Sequence, residues 1–363
     1  MLITSYDLLR RDIIYYEEKN FSYEVIDEAQ YIKNASTQAS KAVKAIDSQC
    51  RFALTGTPIE NRLSELWSIF EYLMPGYLYS ATKFKTEFEQ KIIEGEHPDV
   101  VVRLQRMIKP FILRRLKRDV LKELPDKLEE VVYAKMNKEQ EKVYRANEKK
   151  LLMDLQGQTE QDFAGGKIEV LAALTRLRQI CCDPALCYDN YTEDSAKLET
   201  CIELIQNAIG SGHRILLFSQ FATMLGRIQE RLDKEDIKNL ILTGKTSKEE
   251  RKNLVQQFQE EKAEVFLISL KAGGTGLNLT AADIVIHFDP WWNVAAQNQA
   301  TDRAHRIGQE NVVTVIKLIA KDTIEERILK LQEKKKDLAD AIISEEGITL
   351  SKISKEDLLA VLS

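Results

Sequence analysis

The sequence predicts an α/β protein built on parallel sheets, because short apolar runs alternate with helix-patterned segments in two separate parts of the chain. The first part has a helical segment at 36–47 and strand-like runs at 2–6, 23–29 and 51–57. The alternation returns at about residue 197, with strand-like runs at 214–219, 239–243, 265–269, 283–289 and 312–319. Strands that alternate with helices typically form parallel sheets covered by helices.

The middle of the chain has a different pattern. Between about residues 80 and 190, Lys, Glu, Gln and Leu dominate, leucines recur at helical spacing, and 129–134 is the one strand candidate. Residues 157–166 have the composition of a loop. We therefore expect four segments: the end of one α/β domain at 1–78, a helical insertion at 79–192, a complete α/β domain at 193–336 and a helical tail at 337–363.

The composition is that of a globular protein in a reducing compartment. The 363 residues suffice for two to three domains, and 44% hydrophobic against 30% charged residues excludes a mainly disordered chain. Five cysteines without a paired framework argue against a secreted disulfide scaffold. No apolar run reaches the ~18–20 residues of a membrane span, so we expect no membrane partner.

The charge is unevenly distributed along the chain. The formal net charge of −5 does not favour nucleic-acid binding by the chain as a whole. Between Arg103 and Lys122, however, eight basic residues stand against a single acidic one, Asp119. Such a segment suits phosphate groups, but a solvated helix face has the same composition, and the segment alone does not decide.

An acidic pair, Asp27 and Glu28, follows a strand-like run at the end of the strand where open α/β sheets bind ligands. Adjacent carboxylates there suit Mg²⁺, which takes a few carboxylates together with waters and phosphates. Asp27 would hold the metal, and Glu28 would orient an attacking water. The alternative is a solvated strand end followed by a turn, and the residues alone leave both open.

Two further strand ends carry small and polar residues. LTGTPIEN at 54–61 offers the hydroxyls of Thr55 and Thr57. SLKAGGTGLNL at 269–279 has three glycines in four residues, whose backbone N–H groups can bind anions. An ordinary strand-to-helix turn explains either segment equally well.

Arginines in QATDRAHRIGQ, at 299–309, form the third candidate. Arg303 and Arg306 are three residues apart on a predicted helix, which would put both guanidinium groups on one face. Two such groups suit a phosphate chain and the charge of a transition state. A surface helix with exposed arginines is the alternative.

One motif is rejected. GKT at 244–246 has the setting of a phosphate-binding P-loop, but Asn239 stands where that motif requires its first glycine. We therefore interpret Thr246 and Ser247 as helix caps.

The order of these segments resembles that of the Swi/Snf-like ATPases of helicase superfamily two, the translocases that include chromatin remodellers. The acidic motif is VIDEAQYIKN at 25–34, although the family more often has histidine in place of Gln30. The other similar segments cover essentially the whole chain; they are 54–76, 110–127, 174–186, 215–221, 269–293 and 299–309. The resemblance implies two RecA-like P-loop-NTPase lobes, the first incomplete, with a helical insertion between them and ATP in the cleft.

The resemblance also implies a role for each matching residue. It implies Asp27 as the Mg²⁺ residue and Glu28 as the catalytic carboxylate, with Arg303 and Arg306 reaching the ATP phosphates as catalytic arginines. Nucleotide binding is implied for Gly274, Gly276, Asn278 and Gln299. DNA binding or lobe coupling is implied for Thr55, Thr57, Arg114, Arg115, Ser269, Lys271 and Trp292.

The family's P-loop lies upstream of the acidic motif, and only 22 residues precede Tyr23 here. We therefore expect a fragment of a longer protein or a degenerate gene product. The first hypothesis is an ATP-driven double-stranded DNA translocase or remodeller, acting on duplex DNA and a DNA-bound protein complex, whose 363 residues alone lack ATPase activity. It would be cytoplasmic and nucleoid-associated in a bacterium, and nuclear in a eukaryote. The alternatives are a non-catalytic DNA- or protein-binding module and, as a weaker fit, an RNA helicase of the same superfamily.

Overall fold

The computed structural model describes residues 1–56, 63–94, 98–115, 117–156, 167–273, 277–291, 294–330 and 332. The described residues fall into two compact units, unit 1 within residues 1–113 and unit 2 within residues 114–332. Each unit has its own sheet and its own cores. Among the described helices, none is both long and apolar enough to span a membrane.

Unit 1 contains a parallel pair of strands, β1 (Asn20–Ile26) and β2 (Asp47–Ala53), with Tyr23 opposite Cys50. Its described α-helices are Tyr6–Arg11, Ile13–Glu17, Gln38–Ala45, Leu63–Leu73, Ala81–Phe84, Lys91–Glu94 and Pro98–Ile108. A π-helical turn at Lys85–Gln90 and 3₁₀ turns at Ala29–Ile32 and Lys109–Phe111 complete the described elements.

The strand expected at 2–6 is wrong, because residues 2–5 form no regular structure and the helix Tyr6–Arg11 begins directly after them. Ser5 caps this helix by accepting a hydrogen bond from the Leu8 N–H at 3.3 Å. Asp7 lies in its first turn, where the helix dipole favours a negative charge, and Leu9 is buried. Capping and the burial of Leu9 therefore override the strand propensity of the preceding apolar residues.

The two-stranded sheet of unit 1 is covered on one side only by the described residues. Ile26 packs in a core with residues of the helices Gln38–Ala45 and Leu63–Leu73, including Val43 and Tyr72. Apolar side chains elsewhere on the sheet are exposed, Tyr23 at 66%, Val25 at 58% and Phe52 at 50%, and so is Leu54 at 53%, directly after β2. Parallel strands are normally covered on both faces, so this apolar surface is unusual.

Unit 2 contains a six-stranded parallel sheet. Its strands are β3 (Lys127–Ala134), β4 (Ile215–Ser219), β5 (Asn239–Leu242), β6 (Val265–Ser269), β7 (Ile284–His287) and β8 (Val313–Ala320). Their order across the sheet is β3-β8-β7-β4-β6-β5. Its described helices are Lys117–Val120, Lys138–Gln156, Lys167–Cys182, Ala196–Gly210, Ala222–Lys234, Lys248–Gln259, Leu270–Gly273, Val294–Thr301 and 324–330, with a 3₁₀ turn at Pro184–Leu186.

The central strands of this sheet are buried on both faces. Every residue of β4, β6 and β7 is buried, which explains why these strands are continuous apolar runs in the sequence. Alternate residues enter two different cores, Leu217 in one and Leu216 in the other. The predicted α/β alternation of this region is therefore confirmed.

The predicted strand in the middle of the chain also exists, as β3, and it pairs with β8 at an edge of the second sheet. The two long helices on either side of residues 157–166 pack against each other through a core that includes Leu151, Leu174 and Leu177. The predicted loop at 157–166 lies outside the described residues.

Candidate functional site

The acidic pair lies at the carboxyl end of β1, as the sequence predicts. Asp27 is exposed and Glu28 is half-buried. Glu28 has a left-handed backbone with φ of 51°, and its N–H donates to Asp27 Oδ1 at 2.9 Å. Left-handed backbone is uncommon for residues other than glycine and is found preferentially at functional positions.

Main-chain hydrogen bonds fix the acidic pair against the loop that follows β2. The Leu54 N–H donates to the Ile26 carbonyl at 2.8 Å, and the Ala29 N–H donates to the Leu54 carbonyl at 2.9 Å. The residues on both sides of Asp27 and Glu28 are thus bound to one residue of the neighbouring strand end.

Gln30 connects the acidic pair to Thr55. Its Nε2 donates to Glu28 Oε2, and its Oε1 accepts from the Thr55 hydroxyl at 2.9 Å. An amide donates at one end and accepts at the other, so Gln30 can serve both neighbours at once. Gln30, where the family more often has histidine, therefore links these two segments, a contact that was not predicted from the sequence.

A second group of polar side chains connects β1 with β2. Arg51 Nε is 3.4 Å from Glu24 Oε2, and Ser48 Oγ donates to the same oxygen at 3.2 Å. Burial raises the pKa of Glu24 to about 7, against the opposing effect of Arg51. Glu24 is therefore a carboxyl that titrates near neutral pH inside unit 1.

The arginine segment of unit 2 differs from the prediction. The helix Val294–Thr301 ends before Arg303, and both arginines lie in the following turns, half-buried. The Arg303 carbonyl accepts from the Leu279 N–H at 3.0 Å, a bond that a continuing helix would not allow. The placement of Arg303 and Arg306 on one helical face is therefore wrong.

The turn that carries Arg303 and Arg306 packs on residues 277–279, at the end of the glycine-rich segment. Arg306 Nη1 donates to the Leu277 carbonyl at 3.2 Å. Together with the bond between Leu279 and Arg303, this contact joins the segments 277–279 and 303–306. The two segments that the sequence treats as separate candidates therefore form one structural unit.

Gln309 links the two segments through its side chain, a role that was not predicted from the sequence. Gly308 has a φ of 98°, a left-handed backbone that glycine adopts readily, and the Gln309 side chain that follows it is buried. The Gln309 Nε2 lies within hydrogen-bonding distance of three carbonyls, those of Thr280 (3.2 Å), Ala282 (2.8 Å) and Ala304 (3.2 Å). Its Oε1 accepts from the Asn311 N–H at 2.9 Å.

Part of the basic segment is engaged within its own unit. Lys117 Nζ is 2.6 Å from Asp302 Oδ1 and donates to the His305 carbonyl at 3.3 Å. His305 Nε2 lies 2.8 Å from the Pro125 carbonyl oxygen. In unit 1, Arg103 donates to the Tyr79 hydroxyl at 3.0 Å. Not every cation of this segment is therefore available to a ligand.

Several predicted site residues are exposed or lie at strand ends. Arg114, Arg115 and Asn278 are exposed and Gln299 is half-buried. Ser269 is the last residue of β6 and is buried, and its hydroxyl has no hydrogen-bond partner among the described residues. The remaining predicted site residues, Thr57, Gly274, Gly276, Trp292 and the Lys271 side chain, lie outside what the structure describes.

The rejected P-loop motif forms a turn and a helix cap. The Ser247 hydroxyl accepts from the Glu250 N–H at 3.2 Å and begins the helix Lys248–Gln259. The Thr246 hydroxyl accepts from the Thr243 N–H at 3.1 Å. Ser247 is therefore confirmed as a helix cap, whereas the cap expected at Thr246 is wrong, because its hydroxyl bonds the turn before the helix and not a helix N–H.

These features define a class of protein. An acidic pair ends a parallel strand in one unit, and in the other an arginine-bearing turn packs on the loop after a parallel strand, as in helicase-type ATPases. Residues 1–186 match the SNF2-related domain, and residues 196–308 match the helicase conserved C-terminal domain. The first match spans just over half of the chain, which therefore belongs to the SNF2-related family of superfamily-two ATPases.

Curated relatives agree with this assignment. An uncharacterized ATP-dependent helicase of Mycoplasma genitalium is 39% identical over 99% of this chain and 34% of its own length. A putative ATP-dependent helicase/translocase of Bacillus subtilis is 40% identical over 99% of this chain and 39% of its own length. The human SWI/SNF-related regulator of chromatin, subfamily A member 1, is 35% identical over 99% of this chain and 36% of its own length. The chain thus spans about a third of the length of these relatives.

Two solved structures of the Sulfolobus solfataricus SWI2/SNF2 ATPase core are 39% identical to the chain. One is the core domain, with a TM-score of 0.54 over 99% of this chain and 74% of that one. The other is a complex with double-stranded DNA, with a TM-score of 0.52 over 94% and 72%. The predicted fold class, α/β with RecA-like lobes, is therefore confirmed.

Proposed function

We propose that this chain is part of the motor of an ATP-driven double-stranded DNA translocase or remodeller, in which ATP is hydrolysed between two RecA-like lobes. The observation that supports this most strongly is the complementary chemistry of the two units. Unit 1 holds the carboxylates of Asp27 and Glu28 in a fixed turn, and unit 2 holds Arg303 and Arg306 in another. Carboxylates that handle metal and water, together with arginines that bind phosphate, are the parts that phosphoryl transfer requires.

ATP and Mg²⁺ are the cofactors of this proposal. Asp27 would hold Mg²⁺, and its exposed position at the end of β1 suits a metal that keeps water and phosphate ligands. Among the described residues, no group of three or more potential ligands is present, so phosphate and water would supply the other positions. The metal would neutralise charge on the phosphates.

Glu28 would orient the water that attacks the terminal phosphate. The bond from Gln30 fixes this carboxylate, and Thr55 fixes Gln30 in turn. A change in the loop after β2 would therefore reach Glu28 through two hydrogen bonds. We propose that this chain of contacts couples the loop to hydrolysis.

In unit 2, Arg303 and Arg306 would bind the phosphates and the charge that develops on them. The Arg303 carbonyl is bound by the Leu279 N–H, and the Arg306 guanidinium donates to the Leu277 carbonyl, so both residues start from a defined position. The Ser269 hydroxyl, which has no hydrogen-bond partner in the part of the chain that the structure describes, suits a polar ligand at the glycine-rich segment. We assign Gly274, Gly276, Asn278 and Gln299 to the nucleotide side of this site.

Double-stranded DNA is the proposed polymer partner. The exposed Arg114 and Arg115 lie in the segment richest in basic residues, and phosphate binding favours such cations. Lys271, Thr57 and Trp292 complete the proposed DNA-binding or coupling set. The related archaeal ATPase core was solved in complex with double-stranded DNA, which favours duplex DNA over RNA as the partner.

We further propose that the 363 residues alone do not hydrolyse ATP. The sequence contains no G-x-x-x-x-G-K-[ST] motif, and that motif supplies the backbone cradle and the lysine for the phosphates in this class of enzyme. The second candidate function, a DNA- or protein-binding module without catalysis, rests on the same observation.

The test is ATP hydrolysis measured with and without duplex DNA and, separately, with RNA. The 363-residue chain is expected to be inactive. An upstream-extended form that carries a P-loop is expected to be stimulated by duplex DNA, and Glu28→Gln is expected to abolish that stimulation while DNA binding remains. Turnover by the 363-residue chain would contradict the proposed inactivity. An extended form that binds DNA but never hydrolyses ATP would favour the non-catalytic module.

A further inference from the structure

The helix Lys167–Cys182 carries a buried arginine, Arg178, whose contacts leave the helical insertion and reach the central sheet of unit 2. Arg178 is 3% exposed, and Asp289, which it faces, is fully buried. Arg178 Nη2 lies 3.3 Å from Asp289 Oδ2. Arginine suits such a place because its planar fork reaches several acceptors in fixed directions.

All the described hydrogen-bonding contacts of the Arg178 guanidinium are with residues that follow two central strands. Nη1 donates to Gln220 Oε1 at 3.0 Å, just beyond the end of β4. Nη2 donates to the Pro290 carbonyl, beyond the end of β7. The Asp289 carboxylate also accepts from the Ser219 hydroxyl at 2.5 Å. One side chain of the insertion thus joins two neighbouring strand ends.

The helix that carries Arg178 is itself held firmly. Leu174 and Leu177 precede Arg178 on this helix, and both are buried in the core shared with the helix Lys138–Gln156. Arg178 therefore reaches the strand ends from a helix that has a packed core of its own.

Arg178 contacts the segment 289–291 through Asp289 and Pro290. The Pro290 carbonyl, an Arg178 acceptor, directly precedes Trp291, whose own carbonyl accepts from Gln332 Nε2. Trp291 is half-buried and packs against the second core of unit 2. The segment leads into Trp292, which is among the proposed DNA-coupling residues.

We propose that Arg178 is a positioning residue, which sets the place of the segment 289–291 from the helical insertion and thereby tunes the DNA dependence of ATP hydrolysis. The effect of Arg178 on ATP hydrolysis rests on the proposed function, whereas its effect on the position of residues 289–291 does not. A purely stabilising ion pair would hold unit 2 together without determining where Trp291 lies.

The test uses the emission of Trp291 in the 363-residue chain with Trp67→Phe and Trp292→Phe. Arg178→Met is expected to lower the melting temperature, because Asp289 stays buried without its partner, and to increase acrylamide quenching of Trp291. The double variant Arg178→Met with Asp289→Asn removes both charges and is expected to regain most of the melting temperature. It is expected to keep the raised quenching, because the contacts to Gln220 and Pro290 remain lost.

Arg227→Met is the matched control. Arg227 Nε pairs at 2.7 Å with Asp183, which is 1% exposed and follows the same helix, but this pair does not touch the segment 289–291. The control is expected to lower the melting temperature and leave Trp291 quenching unchanged. Quenching that returns to the parental value in the double variant, or that rises equally in the control, would overturn the proposal.

A second measurement separates this inference from the proposed function. In an upstream-extended form, Arg178→Lys is expected to raise the concentration of duplex DNA needed for half-maximal ATPase stimulation, with little change in the rate without DNA. If the parental extended form shows no stimulation, the proposed function fails, and the quenching result still decides the positioning role. If stimulation is present and Arg178→Lys leaves its DNA dependence unchanged, the link to hydrolysis is wrong.

Discussion

Gln309 offers the sharpest quantitative prediction, because one side chain connects three segments of the proposed phosphate site. Its amide hydrogens serve the carbonyls of Thr280, Ala282 and Ala304, and its Oε1 accepts from the Asn311 N–H. Two amide hydrogens and one accepted N–H make about three hydrogen bonds, each worth roughly 1 kcal/mol net. Gln309→Ala is therefore expected to lower the free energy of unfolding of unit 2 by about 3 kcal/mol, with buried carbonyls left partnerless.

For a unit of this size, each kcal/mol shifts the melting temperature by about 2–4 °C, so the expected drop is about 6–12 °C. The assay is scanning calorimetry of the parental chain and of Gln309→Ala at the same pH. Gln309→Glu keeps the volume and the acceptor but replaces the donor by a carboxylate. We expect it to destabilise unit 2 at least as much.

Gln256→Ala is the control, since Gln256 is exposed and its amide contacts only Glu260 among the described residues, at 2.8 Å. Its effect is expected to stay within about 0.5 kcal/mol. A Gln309→Ala transition that coincides with that of this control would refute the assigned role of Gln309.

Three further predictions concern polar side chains that have partners within the chain. The pKa of Glu24 is about 7 in folded unit 1 and near 4.5 in the unfolded chain. The folded state therefore binds more protons, and the free energy of unfolding falls as pH rises through this interval. Glu24→Gln should make the melting temperature of unit 1 less dependent on pH between pH 5 and 7.5. Lys197 Nζ and Glu325 Oε2 form a buried ion pair at 2.5 Å. Lys197→Met should lower the free energy of unfolding by about 3–5 kcal/mol, measured by chemical denaturation, and adding Glu325→Gln should recover part of that loss. Gln30→Leu keeps the size but removes both amide contacts, so it should reduce DNA-stimulated hydrolysis in an extended form while thermal stability changes little.

Each of these predictions has a clear contrary outcome. Parallel pH profiles for the parental chain and Glu24→Gln would show that Glu24 does not titrate in this range. Equal losses for the single and double variants at Lys197 would show that the pair is not coupled. Unchanged stimulation in Gln30→Leu would remove the link between Thr55 and Glu28 from the proposed coupling.

The buried strands were predictable from the sequence because burial on both faces leaves a continuous apolar run. β4 and β6 show this directly, since every residue in each is buried. The position of Asp27 and Glu28 followed from the sequence pattern alone, because the apolar run ends with β1, although most residues of β1 are not buried. Local pattern and local burial coincide in β4 and β6.

The errors arise where distant contacts decide the local structure. Arg303 leaves the helix because its carbonyl pairs with Leu279, a residue 24 positions earlier that no helical pattern includes. Arg178 and Asp289 are 111 positions apart, and no local sequence pattern at either residue predicts their contact. Gln309 follows a glycine turn, which is the one signal in the sequence that could have drawn attention to it.

The central claim is tested most directly by the rate of ATP hydrolysis with and without duplex DNA, in an upstream-extended form and in its Arg306→Ala variant. Duplex DNA is expected to stimulate the parental form and not the variant, while both bind DNA with similar affinity, because Arg306 acts on phosphate charge. Stimulation that survives in Arg306→Ala, or its absence from an extended form that binds both ATP and duplex DNA, would contradict a DNA-driven motor.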